Sequence, residues 1–272
     1  MAAKYREANK RTPAIFDTHT HVSTHAFDKD RCQVLERAWS SGVAFLEVGF
    51  DEESSRKSLS FAEEISGFCA VGIHPHDAAK AENLETRWKH IESLVTGSSR
   101  VKAIGEIGLD YFRNLSPREA QIEAFVMGLD VARRHGLPAI IHQRDSSNDI
   151  ISVIEKHSGG IPLVFHCFSE GIDYARSCLD FGGYISFGGP LTYPRNGHLR
   201  DTVRFVPADR LLVETDCPYL PPQSMRGKRN EPSYIVETIS AIAGILGETP
   251  SEISRLTLDN ALRLFAIGEQ KW

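Results

Sequence analysis

Short apolar runs recur along the chain, and each is followed by a stretch with helical period. The runs are Ala14–Phe16, Val43–Val48, Phe68–Ile73, Val101–Ile107, Pro138–Ile141, Pro162–Phe165, Gly183–Phe187 and Leu211–Val213. They are rich in Val, Ile and Phe and mostly unbroken by polar residues, the pattern of strands buried on both faces. Helical period marks Asp28–Ser40, Glu52–Ile65, Leu84–Leu94, Pro117–His135, Ser147–His157, Ile172–Leu179 and Pro232–Leu246. Pro117–His135 is the clearest. Ser116 offers an N-cap and Pro117 a first-position proline, Ile122, Phe125, Val126 and Leu129 form one apolar face, and Gly136 stands at the C-terminal cap. Eight strands alternating with helices predict a single-domain (β/α)8 barrel, the TIM-barrel fold, over residues 13–268. An open doubly wound sheet is the structural alternative, but eight strands close more readily than they stay open.

Barrels of this kind carry their chemistry at the C-terminal strand ends. There the pattern places Asp17, His19 and His21 on the first strand, His74 and His76 on the third, and Glu106 on the fourth. His142 and Arg144 follow on the fifth, His166 on the sixth, and Glu214 and Asp216 on the eighth. The chain has 11 histidines, and six of them fall at these ends, too many for isolated structural histidines. Carboxylates crowded among imidazoles are costly to desolvate unless a cation joins them. His19 and His21, two apart on one strand, can share one ion with Asp216, whose strand adjoins the first in a closed barrel. His142 and His166 can hold a second ion, and Glu106 is placed to bridge the two. Paired cations suit ester and amide hydrolysis, with Asp216 the candidate to take a proton from the attacking water. Asp17 and Glu214 either orient a histidine or fill the barrel interior. His74 and His76 are either substrate contacts or part of a strand-to-loop turn.

Composition narrows the class. With 41% hydrophobic and 25% charged residues, the chain has the make-up of an ordinary globular protein. No apolar run reaches the roughly 18 residues of a spanning helix. The start, residues 1–12, is polar and lacks the core of a secretory signal, so a solvated tail and no membrane association are expected. The five cysteines form no C-x-x-C pair, which points to reduced thiols and a cytoplasmic protein. The net charge of −5 excludes coating of long nucleic acid by bulk charge, though not a local grip on a few phosphates. Arg113, Arg144, Arg195, Arg226, Lys228 and Arg229 fall in loops on the catalytic side, and such a rim favours a phosphate-bearing substrate. Arg113, Arg144 and Arg229 are the substrate-binding candidates, and Tyr111 or Tyr219 could stack on a base.

The motifs Asp17-Thr18-His19-Thr20-His21, Gly72-Ile73-His74-Pro75-His76 and Gly105-Glu106-Ile107-Gly108-Leu109-Asp110 stand in order along the chain. Ile141-His142, Phe165-His166-Cys167-Phe168 and Glu214-Thr215-Asp216-Cys217-Pro218-Tyr219-Leu220 follow them. Together they resemble the TatD family of metal-dependent hydrolases, from Pro13 to about Ala266. The resemblance implies an amidohydrolase-type barrel with two divalent cations (Mg, Mn or Zn). It also implies a deoxyribonuclease, typically a 3′-to-5′ exonuclease on single-stranded DNA, with roles in DNA repair or DNA degradation. Carried over by motif, His19, His21, Glu106 and Asp216 match one ion's ligands, and Glu106, His142 and His166 match the other's. One position departs: the family usually has Asp two residues after the second histidine of its first motif, where this chain has Ser23. A monomer is expected. A small-molecule amide, lactone or phosphoester hydrolase and a non-catalytic metal-binding scaffold are the competing readings.

Overall fold

The computed structural model describes residues 13–80 and 83–268, so the expected polar tail, residues 1–12, lies outside the described residues. Eight parallel strands follow one another in chain order round one sheet. They are β1 (Ile15–Thr20), β2 (Val43–Val48), β3 (Phe68–Val71), β4 (Val101–Asp110), β5 (Ala139–Arg144), β6 (Leu163–Phe165), β7 (Tyr184–Phe187) and β8 (Leu211–Val213). The sheet closes on itself. Thr20 and Cys217 form a parallel bridge, Asp216 N–H donates to the His19 carbonyl (3.0 Å), and His21 N–H donates to the Cys217 carbonyl (2.9 Å). That closure excludes the open doubly wound sheet.

Two apolar layers hold the barrel. Phe16, Leu46, Ala70, Ala103, Ile140, Val164 and Leu212 fill the inside, where Leu258, Ala261 and Phe265 of the last helix pack against them. Outside, Val71, Ile104, Ile141 and Phe165 of the strands pack on Trp88, Phe125, Leu129 and Ile239 of the helices. Each of the buried Val, Leu, Ile and Phe side chains contributes about 1.5–3 kcal/mol of transfer free energy. Gly128 permits one close approach, since a Cβ there would lie 2.9 Å from Trp88 and 3.0 Å from Ile107.

The helices are α1 (Arg31–Ser40), α2 (Glu52–Ile65), α3 (Leu84–Gly97), α4 (Arg118–His135), α5 (Ser147–His157), α6 (Ile172–Asp180), α7 (Gly197–Phe205), α8 (Ile235–Leu246) and α9 (Pro250–Leu264). Helical period therefore located seven of them and passed over α7 and α9. Thr249 caps α9 through the Glu252 N–H, with Pro250 at the first position, a start signal legible in the sequence. Gly136 caps α4 in the left-handed region (φ 62°) as expected, but the other end differs. Pro117 is itself the cap residue, and the Ser116 hydroxyl instead donates to the His76 carbonyl (3.0 Å) and accepts from Ala79 N–H (3.1 Å). Pro232 opens a short 3-10 turn rather than α8 itself. At the N-terminal side of α1, residues His25–Phe27 form another such turn.

The strands that carry the chemistry run longer than their apolar stretches. β1 continues to Thr20, β4 to Asp110 and β5 to Arg144. Hydrophobic runs stop where polar catalytic side chains begin, although the backbone ladder does not. Register shifts between Asp17 and Thr20 and between Ile104 and Ile107, irregularities of the kind that re-aim side chains beside active sites.

Candidate metal centre

Glu106 stands at the middle of the mouth, buried, with one carboxylate oxygen turned to each of two groups of imidazoles. Its Oε2 lies 3.4 Å from His19 Nε2 and 3.9 Å from His21 Nε2. Its Oε1 lies 2.7 Å from His142 Nδ1, 2.9 Å from His166 Nε2 and 3.4 Å from His74 Nε2. Asp216 Oδ1 completes the first group, 3.5 Å from His21 Nε2 and 3.9 Å from His19 Nε2, and the two imidazole nitrogens are 3.2 Å apart. Asp216 sits at a left-handed turn (φ 55°), a conformation that costs a non-glycine residue on the order of 1 kcal/mol and is held by the Asp216–His19 backbone bond.

The glycines beside Glu106 let neighbouring strands touch. A Cβ on Gly105 would lie 2.6 Å from the Ile140 Cβ, and one on Gly108 (φ 138°) would lie 2.1 Å from the His142 carbonyl oxygen.

These donors fit divalent cations. Four ligands about 2.1 Å from one tetrahedral ion lie about 3.4 Å from each other. His19 Nε2 and His21 Nε2 lie 3.2–3.9 Å from each other and from Glu106 Oε2 and Asp216 Oδ1. In His21 and His142 the ring nitrogen turned away from Glu106 meets an acceptor. His21 donates Nδ1–H to the Val48 carbonyl (2.8 Å), which leaves Nε2 as the nitrogen facing Glu106 and Asp216. His142 places Nε2 on Asp110 Oδ2 (3.1 Å) and leaves Nδ1 facing Glu106. His166 turns Nδ1 to Glu214 Oε1 (3.4 Å), and that same oxygen accepts from Cys167 N–H (2.6 Å). His74 differs: its Nδ1 accepts the His76 backbone N–H (3.1 Å).

Burial opposes charge throughout the cluster. It pushes the His19 imidazole down to about 4, with His166 adding to the effect. At His21 burial also acts downward, but Asp216, Glu106 and Glu47 outweigh it and hold the ring up at about 9. Burial alone would raise the Glu106 carboxyl; the imidazoles of His166, His74 and His142 hold it well below the usual carboxylate range. A buried carboxylate stays ionised only beside compensating positive charge, which protons or cations can supply.

The remaining expected residues divide. Glu214 contacts the His166 ring. Asp17 does not: its carboxylate accepts from Thr215 N–H (2.9 Å), the Thr215 hydroxyl (2.5 Å) and His19 N–H (3.2 Å), which ties β1 to the segment after β8. His76 places Nε2 on Asp110 Oδ2 (2.8 Å). Arg113 and Arg144 are exposed at the mouth, and the Arg144 guanidinium carbon lies 3.9 Å above the Phe112 ring. Arg229, expected to meet substrate, is instead forked on Asp30 (2.8 and 2.7 Å) and donates to the Ala26 carbonyl (2.7 Å). Tyr111 donates its hydroxyl to Asp149 (2.7 Å) and carries Arg118 on its face, so it is spent on packing, whereas Tyr219 is 57% exposed beside His21.

Two residues had no assigned role in the sequence. Asp110, four residues after Glu106 on β4, joins His76 to His142. Glu47, buried on β2, accepts from Val22 N–H (2.9 Å), Ser23 N–H (2.8 Å) and the Thr20 hydroxyl (3.1 Å), and so pins the loop that holds Ser23. Its place inside an apolar strand, Val43-Ala44-Phe45-Leu46-Glu47-Val48, was the available signal.

Comparison with known proteins agrees with this geometry. The model of the family described as TatD related DNase matches residues 16–266. The chain is 38% identical over 257 residues to an uncharacterized metal-dependent hydrolase, YabD, of Bacillus subtilis, covering 93% of this chain and all of that one. It is 35% identical over 264 residues to a protein of Erwinia billingiae named 3'-5' ssDNA/RNA exonuclease TatD, covering 93% and 99%. The crystal structure of the TatD homologue YJJV from Escherichia coli superposes with a TM-score of 0.88 at 28% identity, covering 95% of this chain and all of that one. With the barrel, its cluster of ligating side chains and these likenesses in place, the chain belongs to the TatD DNase family and is a metal-dependent hydrolase of ester bonds.

Proposed function

We propose that the protein is a nuclease that uses two divalent cations to remove nucleotides from the 3′ ends of single-stranded DNA. One observation carries this reading: the two oxygens of Glu106 face two separate sets of donors, His19, His21 and Asp216 on one side and His142 and His166 on the other. Divalent cations held there would lower the pKa of a bound water and neutralise charge gathering on a phosphoryl group. Mixed nitrogen and oxygen donors favour Mn or Zn over Mg, which prefers oxygen and water.

The chain's own residues do the rest. Glu106, drawn well below the usual carboxylate range, stays ionised and joins the two sets. Asp216, at the mouth and 9% exposed, is placed to accept the proton of the attacking water. Glu214 holds the His166 ring and Asp110 the His142 ring, so that each presents a lone pair. Arg113 and Arg144 stand exposed where flanking phosphates would pass, and Tyr219 offers an open face to a base. The relatives named as 3'-5' ssDNA/RNA exonucleases support this choice of substrate. All six ligating residues come from one chain, which favours a monomer, and the chemistry suits trimming of DNA ends in repair or degradation. No helix among the described residues is long and apolar enough to cross a membrane.

The test is digestion of single- and double-stranded oligonucleotides, labelled at either end, with Mn, Mg or Zn. Loss of nucleotides from the 3′ end that stops with EDTA and in Glu106→Ala supports the reading. Intact oligonucleotides, with turnover of a lactone or simple phosphoester instead, would replace it with a small-molecule hydrolase.

A further inference from the structure

His74 stands among the donors as though it were another ligand. Its Nε2 is 3.4 Å from Glu106 Oε1, its ring centroid is 4.5 Å from that of His142, and His74, Glu106 and His142 are spaced as three ligands of one ion would be. The other ring nitrogen argues otherwise. His74 caps the 3-10 turn Pro75–Asp77, and its Nδ1 accepts the backbone N–H of His76 at 3.1 Å. A backbone amide can only donate, so this Nδ1 must offer a lone pair. A neutral imidazole has one donor and one acceptor nitrogen, and the proton of His74 therefore sits on Nε2. His21 and His142 are arranged the opposite way. Each gives the proton of its outer nitrogen to an acceptor, the Val48 carbonyl or the Asp110 carboxylate, so that its inner nitrogen, the one facing Glu106, is the atom left to ligate a cation. A nitrogen that carries a proton cannot ligate a cation.

We propose that His74 is a hydrogen-bond donor of the catalytic centre and not a metal ligand: its Nε2–H binds an anionic phosphoryl oxygen of the substrate. At 3.4 Å the contact with Glu106 Oε1 is long for a hydrogen bond, and His142 and His166 stand closer to that oxygen. The N–H is therefore free to turn to a substrate oxygen drawn to the same donor set. Pro75, buried at the first position of the turn, fixes φ there and so the approach of the His76 amide to the His74 ring. The identity of the acceptor as a phosphoryl oxygen rests on the nuclease reading; the exclusion of His74 as a ligand does not.

The first measurement is the ring tautomer in the zinc-loaded wild-type protein, read by long-range 15N–1H correlation at the His74 ring. Nε2 bearing the proton, with Nδ1 as a bare acceptor, is expected. A metal-bound Nε2 with the proton on Nδ1 overturns the proposal. The second is metal content together with kinetics on a 3′-labelled oligonucleotide for His74→Ala and His74→Gln, with His142→Ala as the ligand-loss control. His74→Ala should keep the wild-type metal content while kcat falls ~10²–10³-fold, the usual cost of one lost oxyanion donor, with KM little changed. His74→Gln, which keeps an N–H near the same place, should recover at least about tenfold of that loss. Loss of a metal equivalent in His74→Ala, as in the control, or wild-type kcat in His74→Ala, overturns the proposal. Tautomer and metal content need no turnover, so a protein that cleaves no DNA yet shows the expected tautomer would fail the nuclease reading alone.

Discussion

His166 lies face to face on His19, ring centroids 4.0 Å apart and planes 17° from parallel, although the two rings come from β6 and β1 and serve different donor sets. Glu214 Oε1 lies 3.4 Å from His166 Nδ1, and one ligating atom each of His19, His166 and Glu214 lies within 4.8 Å of the others. The Glu214 carboxylate thus touches the His166 ring directly and reaches the His19 ring through its stack on His166. Glu214→Gln keeps the shape and removes the charge. It should weaken binding of both cations by roughly 10–100-fold, the usual effect of losing a carboxylate behind a ligating histidine. Competition against a fluorescent chelator measures this; unchanged affinity at either ion would show that the stack holds without Glu214.

Arg87 is fully buried and forked on Glu52 (2.5 and 2.9 Å), with a third bond to the Asp77 carbonyl (2.8 Å). Glu52→Gln leaves a buried guanidinium without its counter-charge and should cost about 3 kcal/mol near neutral pH. Burial would raise the Glu52 carboxyl, but Arg87 outweighs it and holds it below its ordinary value. A depressed carboxyl stabilises the fold above its unfolded pKa, about 4.3, and loses that contribution as pH falls through the folded value. Urea melts should therefore show a gap between wild type and variant that is full near pH 7 and closes below about pH 4. A gap independent of pH would contradict the ion-pair account.

Gly108 holds φ 138° with the His142 carbonyl oxygen 2.1 Å from where a Cβ would stand. Gly108→Ala should destabilise the barrel by about 3 kcal/mol or more and displace His142 from Glu106. Thermal melting and metal content together report this. A stable Gly108→Ala protein with full metal content would show that the strand can shift without disturbing the centre.

Arg144 and Arg229 were both candidates for substrate in the sequence, Arg144 the stronger for standing two residues after His142, and the structure separates them. Arg144→Ala should raise KM for an oligonucleotide several-fold and lower the salt dependence of binding by about one phosphate contact, with stability unchanged. Arg229→Ala should leave KM alone and cost about 1 kcal/mol of stability, since its fork ties the loop after β8 to Asp30. Salt-dependent binding and melting of the two variants decide the matter; the reverse pattern would return Arg229 to the substrate.

The sequence showed the barrel because its strands are buried on both faces and read as unbroken apolar runs, as in Val43–Val48 and Leu211–Val213. It grouped the candidate ligands because two-residue spacing keeps His19 and His21 on one side of a strand. It did not show where strands end, since Asp110 and Arg144 belong to the ladder although their polarity marks a loop. Nor did it show which way Arg229 turns or which nitrogen of His74 is protonated. Those depend on Asp30 and on the His76 amide, partners that no periodicity reveals. Helix α9 follows the eighth strand–helix unit, so the barrel repeat does not call for it, although its Thr249–Glu252 cap is legible.

The central claim is that Glu106 joins two cations in one hydrolytic centre. Its most direct test is release of the labelled 3′-terminal nucleotide followed while metal-free protein is titrated with Mn or Zn. The account predicts little turnover at one equivalent per chain and a steep rise as the second is taken up. Full activity at a single equivalent, or no cleavage at any metal content, would contradict it.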